Sequence, residues 1–114
     1  MIVDTGLNIA VQALSDDMSD GQLGTGTTAP SASDTDLETG VAATDATLSD
    51  KTVTNQTLTN KHTTNSGTGN GSTMSEFGSF TSADVLINRS TFTPLAKTSS
   101  DEIIVFTKVV IDRA

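Results

Sequence analysis

The chain has 114 residues, no Cys, no Trp and no Tyr, and a formal net charge of −8. The length suits one domain and not two. The acidic balance argues against nucleic acid, which needs Lys and Arg at its phosphates, and against anionic membrane surfaces, while the missing Cys excludes disulfides and thiolate chemistry.

The large apolar side chains are Leu, Ile, Val and four Phe, within a hydrophobic share of 34%. So few large groups predict a thin core, and contact with further subunits would bury more apolar surface and stabilise by mass action. Ser and Thr make up 34 of the 114 residues. Thr is β-branched and favours strands, whereas Ser favours turns, so the composition leans to β structure with polar loops. Eleven of the fourteen acids are Asp, a bias compatible with a high-salt environment that screens repulsion, and equally with plain solubility. No apolar run approaches the ~18 residues of a membrane span. The start, Met1-Ile2-Val3-Asp4-Thr5, lacks a basic region and an apolar stretch, so it does not read as a signal peptide, and synthesis in a cytosol is expected.

In chain order, residues 5–15 predict a short amphipathic helix, because Leu7, Ala10, Val11 and Leu14 recur at helical spacing and Asp4 or Thr5 can cap it. Acids at a helix C-terminus oppose the dipole, so Ser15-Asp16-Asp17-Met18-Ser19-Asp20-Gly21 reads as a stop and a solvated loop. It lacks the ligand order of a calcium loop, and no metal is assigned. Residues 21–41 form a Gly/Thr loop in which glycines permit positive φ, with a one-turn helix capped by Ser33 or Asp34 and anchored by Leu37. Gly24, Gly26 and Ala29 match G-x-G-x-x-A, but no long helix opens behind them, and no nucleotide is assigned.

Residues 47–61 hold a tandem pentapeptide, Thr47-Leu48-Ser49-Asp50-Lys51, Thr52-Val53-Thr54-Asn55-Gln56 and Thr57-Leu58-Thr59-Asn60-Lys61, with a degraded copy at 62–66. An odd apolar period alternates faces in a flat strand. The segment 47–66 is therefore expected to be an arm or hairpin on a neighbouring subunit, with Leu48, Val53 and Leu58 at the contact. A flexible turn region follows at 65–73. The β core spans 74–112: Met74–Phe80 and Asp84–Ala96 as strands, the latter broken at Pro94, Lys97–Asp101 as a hairpin loop, and Glu102–Asp112 as the strongest strand. That last strand is apolar on both faces, with Ile104, Phe106 and Val110 on the second, which needs another sheet, the helix or another subunit.

No nucleophile–base or metal-ligand pattern emerges around the single His62, and aromatic platforms for a sugar pocket are missing. The chain is expected to be no enzyme and to carry no cofactor.

The order of short motifs is informative. Gly24-Thr25-Gly26-Thr27-Thr28-Ala29-Pro30 is followed by Asp34-Thr35-Asp36-Leu37-Glu38, then Glu76-Phe77-Gly78-Ser79-Phe80, Leu86-Ile87-Asn88-Arg89-Ser90-Thr91-Phe92 and Lys97 before the last strand. Outside 42–73 this resembles the tail-collar and tail-fibre N-terminal domains of tailed phages and related short virion proteins, and the acidic bias would suit a virus of a halophilic host. The resemblance implies a mainly β, small antiparallel β-sandwich with a short N-terminal helix, serving as a virion structural protein of the tail, baseplate, collar or capsid surface. Expected partners are other copies in a trimer or other cyclic oligomer and other virion proteins. The alternative is a host-surface glycan-binding adhesin module on the virion. Glu76 and Arg89 are expected to pair within or between subunits, and Lys97 to meet an acidic neighbour.

Overall fold

A computed structural model describes residues 1–112. One α-helix, α1 (Asp4–Asp17), precedes seven strands: β1 (Met18–Gly24), β2 (Ala46–Thr47), β3 (Ser49–Thr54), β4 (Thr57–Thr64), β5 (Thr73–Thr81), β6 (Leu86–Ala96) and β7 (Ile103–Val110), with a 3-10 turn at Ala42–Thr44 before β2. They form two antiparallel sheets, a first of order β2-β1-β5-β6 and a second of order β3-β4-β7. The chain is thus mainly β, a small β-sandwich with an N-terminal helix. It changes sheet three times, at Leu48, through 65–72 and through 97–102.

The helix forms where its spacing predicts, burying Leu7, Val11 and Ser15. It leans on β3 and β4. Lys51, reaching from β3, donates to the Ser15 carbonyl at 3.3 Å and also to the Met18 carbonyl. A cation from elsewhere in the chain thereby satisfies the C-terminal carbonyls that Asp16 and Asp17 oppose. The core gathers Val11, Met18, Leu23, Leu48, Leu58 and Phe77 with Met74 and Ile103.

Five expectations change. Residues 18–24 are a central strand and not a solvated loop: β1 pairs with β5 on one side and β2 on the other, with Met18 and Leu23 fully buried. Positive φ among the described glycines falls at Gly69 and Gly71, so Gly24 and Gly26 are selected by something other than backbone conformation. No one-turn helix follows Ser33; Ser31 and Asp34 close a turn instead, with the Asp34 amide donating to the Ser31 carbonyl and the Ser31 amide donating to Asp34 Oδ2. Lys97–Asp101 is not a hairpin loop, because β6 and β7 belong to different sheets. Pro94 does not end β6. It lies where the register shifts between Met74↔Leu95 and Glu76↔Thr91, on an edge strand that can tolerate a missing donor.

The pentapeptide segment is a hairpin, but it is not a detachable arm. Asn55 and Gln56, at φ 50 and 60, make the two-residue turn between β3 and β4. That turn sets Val53 directly opposite Leu58, and opposite residues share a face. A one-residue bulge between Ser49 and Thr52, with Asp50 at φ 52, resets the parity once more. The odd period is therefore absorbed by a turn and a bulge. Leu48 and Leu58 then point into the chain's own core, at 4% and 0% exposure, with Val53 packed against it. Removing 47–66 would remove two of the second sheet's three strands.

Candidate functional site

Four of the short motifs meet at one place, and Lys97 lies apart from them. Glu76, on β5, is fully buried. Its Oε1 accepts from Arg89 Nε at 2.9 Å and from the Glu38 amide at 2.9 Å, and its Oε2 accepts from the Gly26 and Thr39 amides, both at 2.8 Å. Arg89, on β6 with its side chain 4% exposed, completes the cluster: Nη1 meets Asp34 Oδ2 at 3.1 Å and Nη2 donates to the Thr28 carbonyl at 2.8 Å. Glu38 in turn accepts from the Thr27 and Thr28 amides. A loop without regular structure is thus held by two charges in the sheet beneath it.

This explains the glycines. A Cβ on Gly24 would lie 2.6 Å from Glu76 Oε2 and from the Thr39 carbonyl, and one on Gly26 would overlap the same carboxylate and the Glu38 side chain. The backbone must come close enough to donate, and only glycine permits it. Burial pushes the Glu76 carboxyl up, but the Thr39 amide, Arg89 and the Glu38 and Gly26 amides together hold it below the usual carboxylate range. Asp34 is likewise held low, first by the Ser31 amide and then by Arg89. Buried charge is tolerated here because each group is paired and hydrogen-bonded.

Among the described residues His62 and Lys97 are the other buried titratable groups, at 0% and 1% exposure. The His62 ring lies 5.3 Å from that of Phe77, tilted by 58°, and its Nε2 lies 2.8 Å from the Thr44 carbonyl. A carbonyl only accepts, so Nε2 carries the proton and Nδ1 is an acceptor without a donor. Burial depresses the imidazole pKa below its ordinary value, outweighing the Thr44 and Gly21 backbone and the Asp20 carboxyl, which raise it. Lys97 donates to Asn70 Oδ1 at 2.8 Å and to the Thr98 carbonyl at 3.1 Å. Its charge also bears on Asp101.

An open cavity of about 240 Å³ lies beside β1, lined by Asp20, Gln22, Asp36, Asp45, Phe80 and Asp84. Burial, then the Asp45 carboxyl, pushes Asp20 up to about 6. Among the described residues no group of three or more His, Cys, Asp or Glu is arranged to hold a metal ion, and no helix is long and apolar enough to cross a membrane.

The predicted contact residues separate into two sets. Leu48, Leu58, Glu76 and Arg89 are committed inside the chain, and Val53 packs against its core. Ile104, Phe106 and Val110 are exposed by 43%, 77% and 52% on the outer face of β7. Sequence reasoning raised the Glu76–Arg89 pair, but missed Gly26, Glu38 and Thr39 as its partners. The close glycines of the motif were the available signal. No family model, curated protein or solved structure matches the chain.

Proposed function

We propose that this chain is a non-enzymatic structural module of a tailed-virus particle, packing through its second sheet as one copy among several in the tail, baseplate, collar or capsid surface. The observation that carries the reading is the convergence on one buried pair. Motifs separated by up to 61 residues, from Thr28 to Arg89, are physically one unit. That these motifs form one unit supports reading their order, which resembles that of tail-collar domains, as a structural signature. The apolar residues exposed on β7 supply a surface for association, since large apolar groups left in water favour burial against a neighbour.

Mass spectrometry of particles purified from cells carrying the gene is the direct test, with antibody labelling under the electron microscope to place the chain. Stoichiometric presence in the particle is expected. Particles that form normally without the chain, and contain none of it, would sink the proposal.

A further inference from the structure

We propose that two copies of this chain pair edge to edge along β7, antiparallel, so that two three-stranded sheets become one continuous sheet. The proposal goes beyond the virion reading and does not depend on it.

The four free sheet edges differ in kind. β2 is only two residues long. β3 carries a bulge with Asp50 and Lys51 inside it. β6 carries two register shifts and Pro94. Each has a feature that discourages pairing with another chain. β7 has neither bulge nor proline: it pairs with β4 without interruption from Ile103↔Thr64 to Val110↔Thr57, and its one charged side chain is Lys108.

The backbone register says which groups that edge offers. The Ile111 amide donates to the Gln56 carbonyl at 3.1 Å. Hydrogen-bonded and non-bonded pairs alternate along an antiparallel ladder. Ile103, Val105, Thr107 and Val109 therefore bond to β4, while Ile104, Phe106, Lys108 and Val110 direct their N–H and C=O groups out of the edge. The side chains of the same four residues lie on the exposed outer face.

Only even-numbered residues offer edge groups, so paired numbers must sum to an even number, and every such pairing has two-fold symmetry. Charge then narrows the register and the Phe106 ring decides it, because centring on Val105 also avoids like pairs but sets Phe106 opposite Ile104 without an aromatic partner. Centring on Lys108 sets two ammonium groups opposite each other. Centring on Thr107 sets Glu102 opposite Asp112. Centring on Phe106 creates no like pair. It opposes the two Phe106 rings, sets Lys108 opposite Ile104, and brings Lys108 beside Glu102 of the second copy. Aromatic pairs and opposite charges across strands are favourable, and like charges directly opposite are not. In a chain of net charge −8, this cation placed among apolar groups is the complement such an edge needs.

Sedimentation equilibrium of the intact chain is expected to give twice the 11.7 kDa monomer mass. Lys108→Pro removes an amide that makes no bond to β4, so the fold should keep its circular dichroism while the mass falls to that of a monomer. Phe106→Lys, a change at an exposed side chain, should do the same by placing like charges on the two-fold axis. The natural absence of Cys makes the register readable. Residues of a hydrogen-bonded pair lie about 5.5 Å apart at Cα, within disulfide reach. Under mild oxidation Phe106→Cys should cross-link to a covalent dimer faster than Thr107→Cys or Lys108→Cys. A monomeric parent at high concentration, an unchanged mass for both blocking variants, or fastest cross-linking at Thr107 or Lys108 would overturn the proposal. Absence of the chain from particles would overturn the virion reading alone.

Discussion

The two sheets use the same Thr-rich chain in opposite ways. In the first sheet, β5 is buried on both faces, by Phe77 against His62 of the second sheet and by Glu76 and Gly78 beneath the 25–39 loop. The second sheet has only one covered face. On β4, Leu58, Asn60, His62 and Thr64 are buried, while Thr57, Thr59, Lys61 and Thr63 alternate with them, partly exposed. The first sheet gains its second cover by placing a carboxylate where a loop can bond to it. The second has no such cover within the chain, and its apolar outer residues remain available to a neighbour. A small domain with few large side chains can thus spend charge to organise one layer and leave the other open.

The largest effect should come from breaking the covered sheet. Glu76→Gln removes the fully buried charge facing Arg89, leaving Asp34 as its remaining carboxylate partner, and removing one member of a buried pair costs about 3–5 kcal/mol. Urea unfolding should show a much lower midpoint, and a midpoint within error of the parent would mean the pair does not hold the loop. Gly26→Ala forces a methyl into the Glu76 carboxylate and should cost about 1–3 kcal/mol by overpacking. Proteolysis within 25–39 should accelerate in step with that loss.

Acid should test both sheets in sequence. The His62 pKa is depressed in the fold, so its contribution is complete above the unfolded value of 6.5 and is lost as pH falls below it. Glu76 is also depressed, so its contribution is present above 4.5 and is lost only at lower pH. Denaturant midpoints measured from pH 8 downward should therefore fall in two stages, and His62→Gln should abolish the first. Asp20 runs the other way. Raised to about 6 from 3.8, it disfavours the fold increasingly as pH rises between those values. Asp20→Asn should stabilise at pH 8 by less than about 1 kcal/mol, given the partial exposure of the site, and should do nothing at pH 3. The smallest effect on folding belongs to the open sheet. Phe106→Ser, at a side chain 77% exposed, should change monomer stability by no more than about 0.5 kcal/mol while weakening self-association. If it unfolded the monomer, the contrast between the sheets would be lost.

Several elements were legible because their signals are local. The helix showed in the spacing of Leu7, Val11 and Leu14. Strands β5 and β7 showed in their apolar density, and the buried pair in the two isolated charges Glu76 and Arg89. Strand β1 was not legible. Its sequence, Met18-Ser19-Asp20-Gly21-Gln22-Leu23-Gly24, reads as a loop, and its glycine at 21 is explained only by rings close enough that a Cβ would lie 2.8 Å from Phe77 and 2.9 Å from His62.

The sequence by itself determined a thin-cored, acidic, β-rich chain with one helix, because composition and periodicity act through each residue's own preferences. Only the tertiary structure decided where Leu48 and Leu58 point, since a bulge and a two-residue turn reset the parity of the strand they belong to. It alone separated β6 from β7 into different sheets, and it alone made the 25–39 loop a cover, through amides that carry no mark in the sequence until a buried carboxylate is set beneath them.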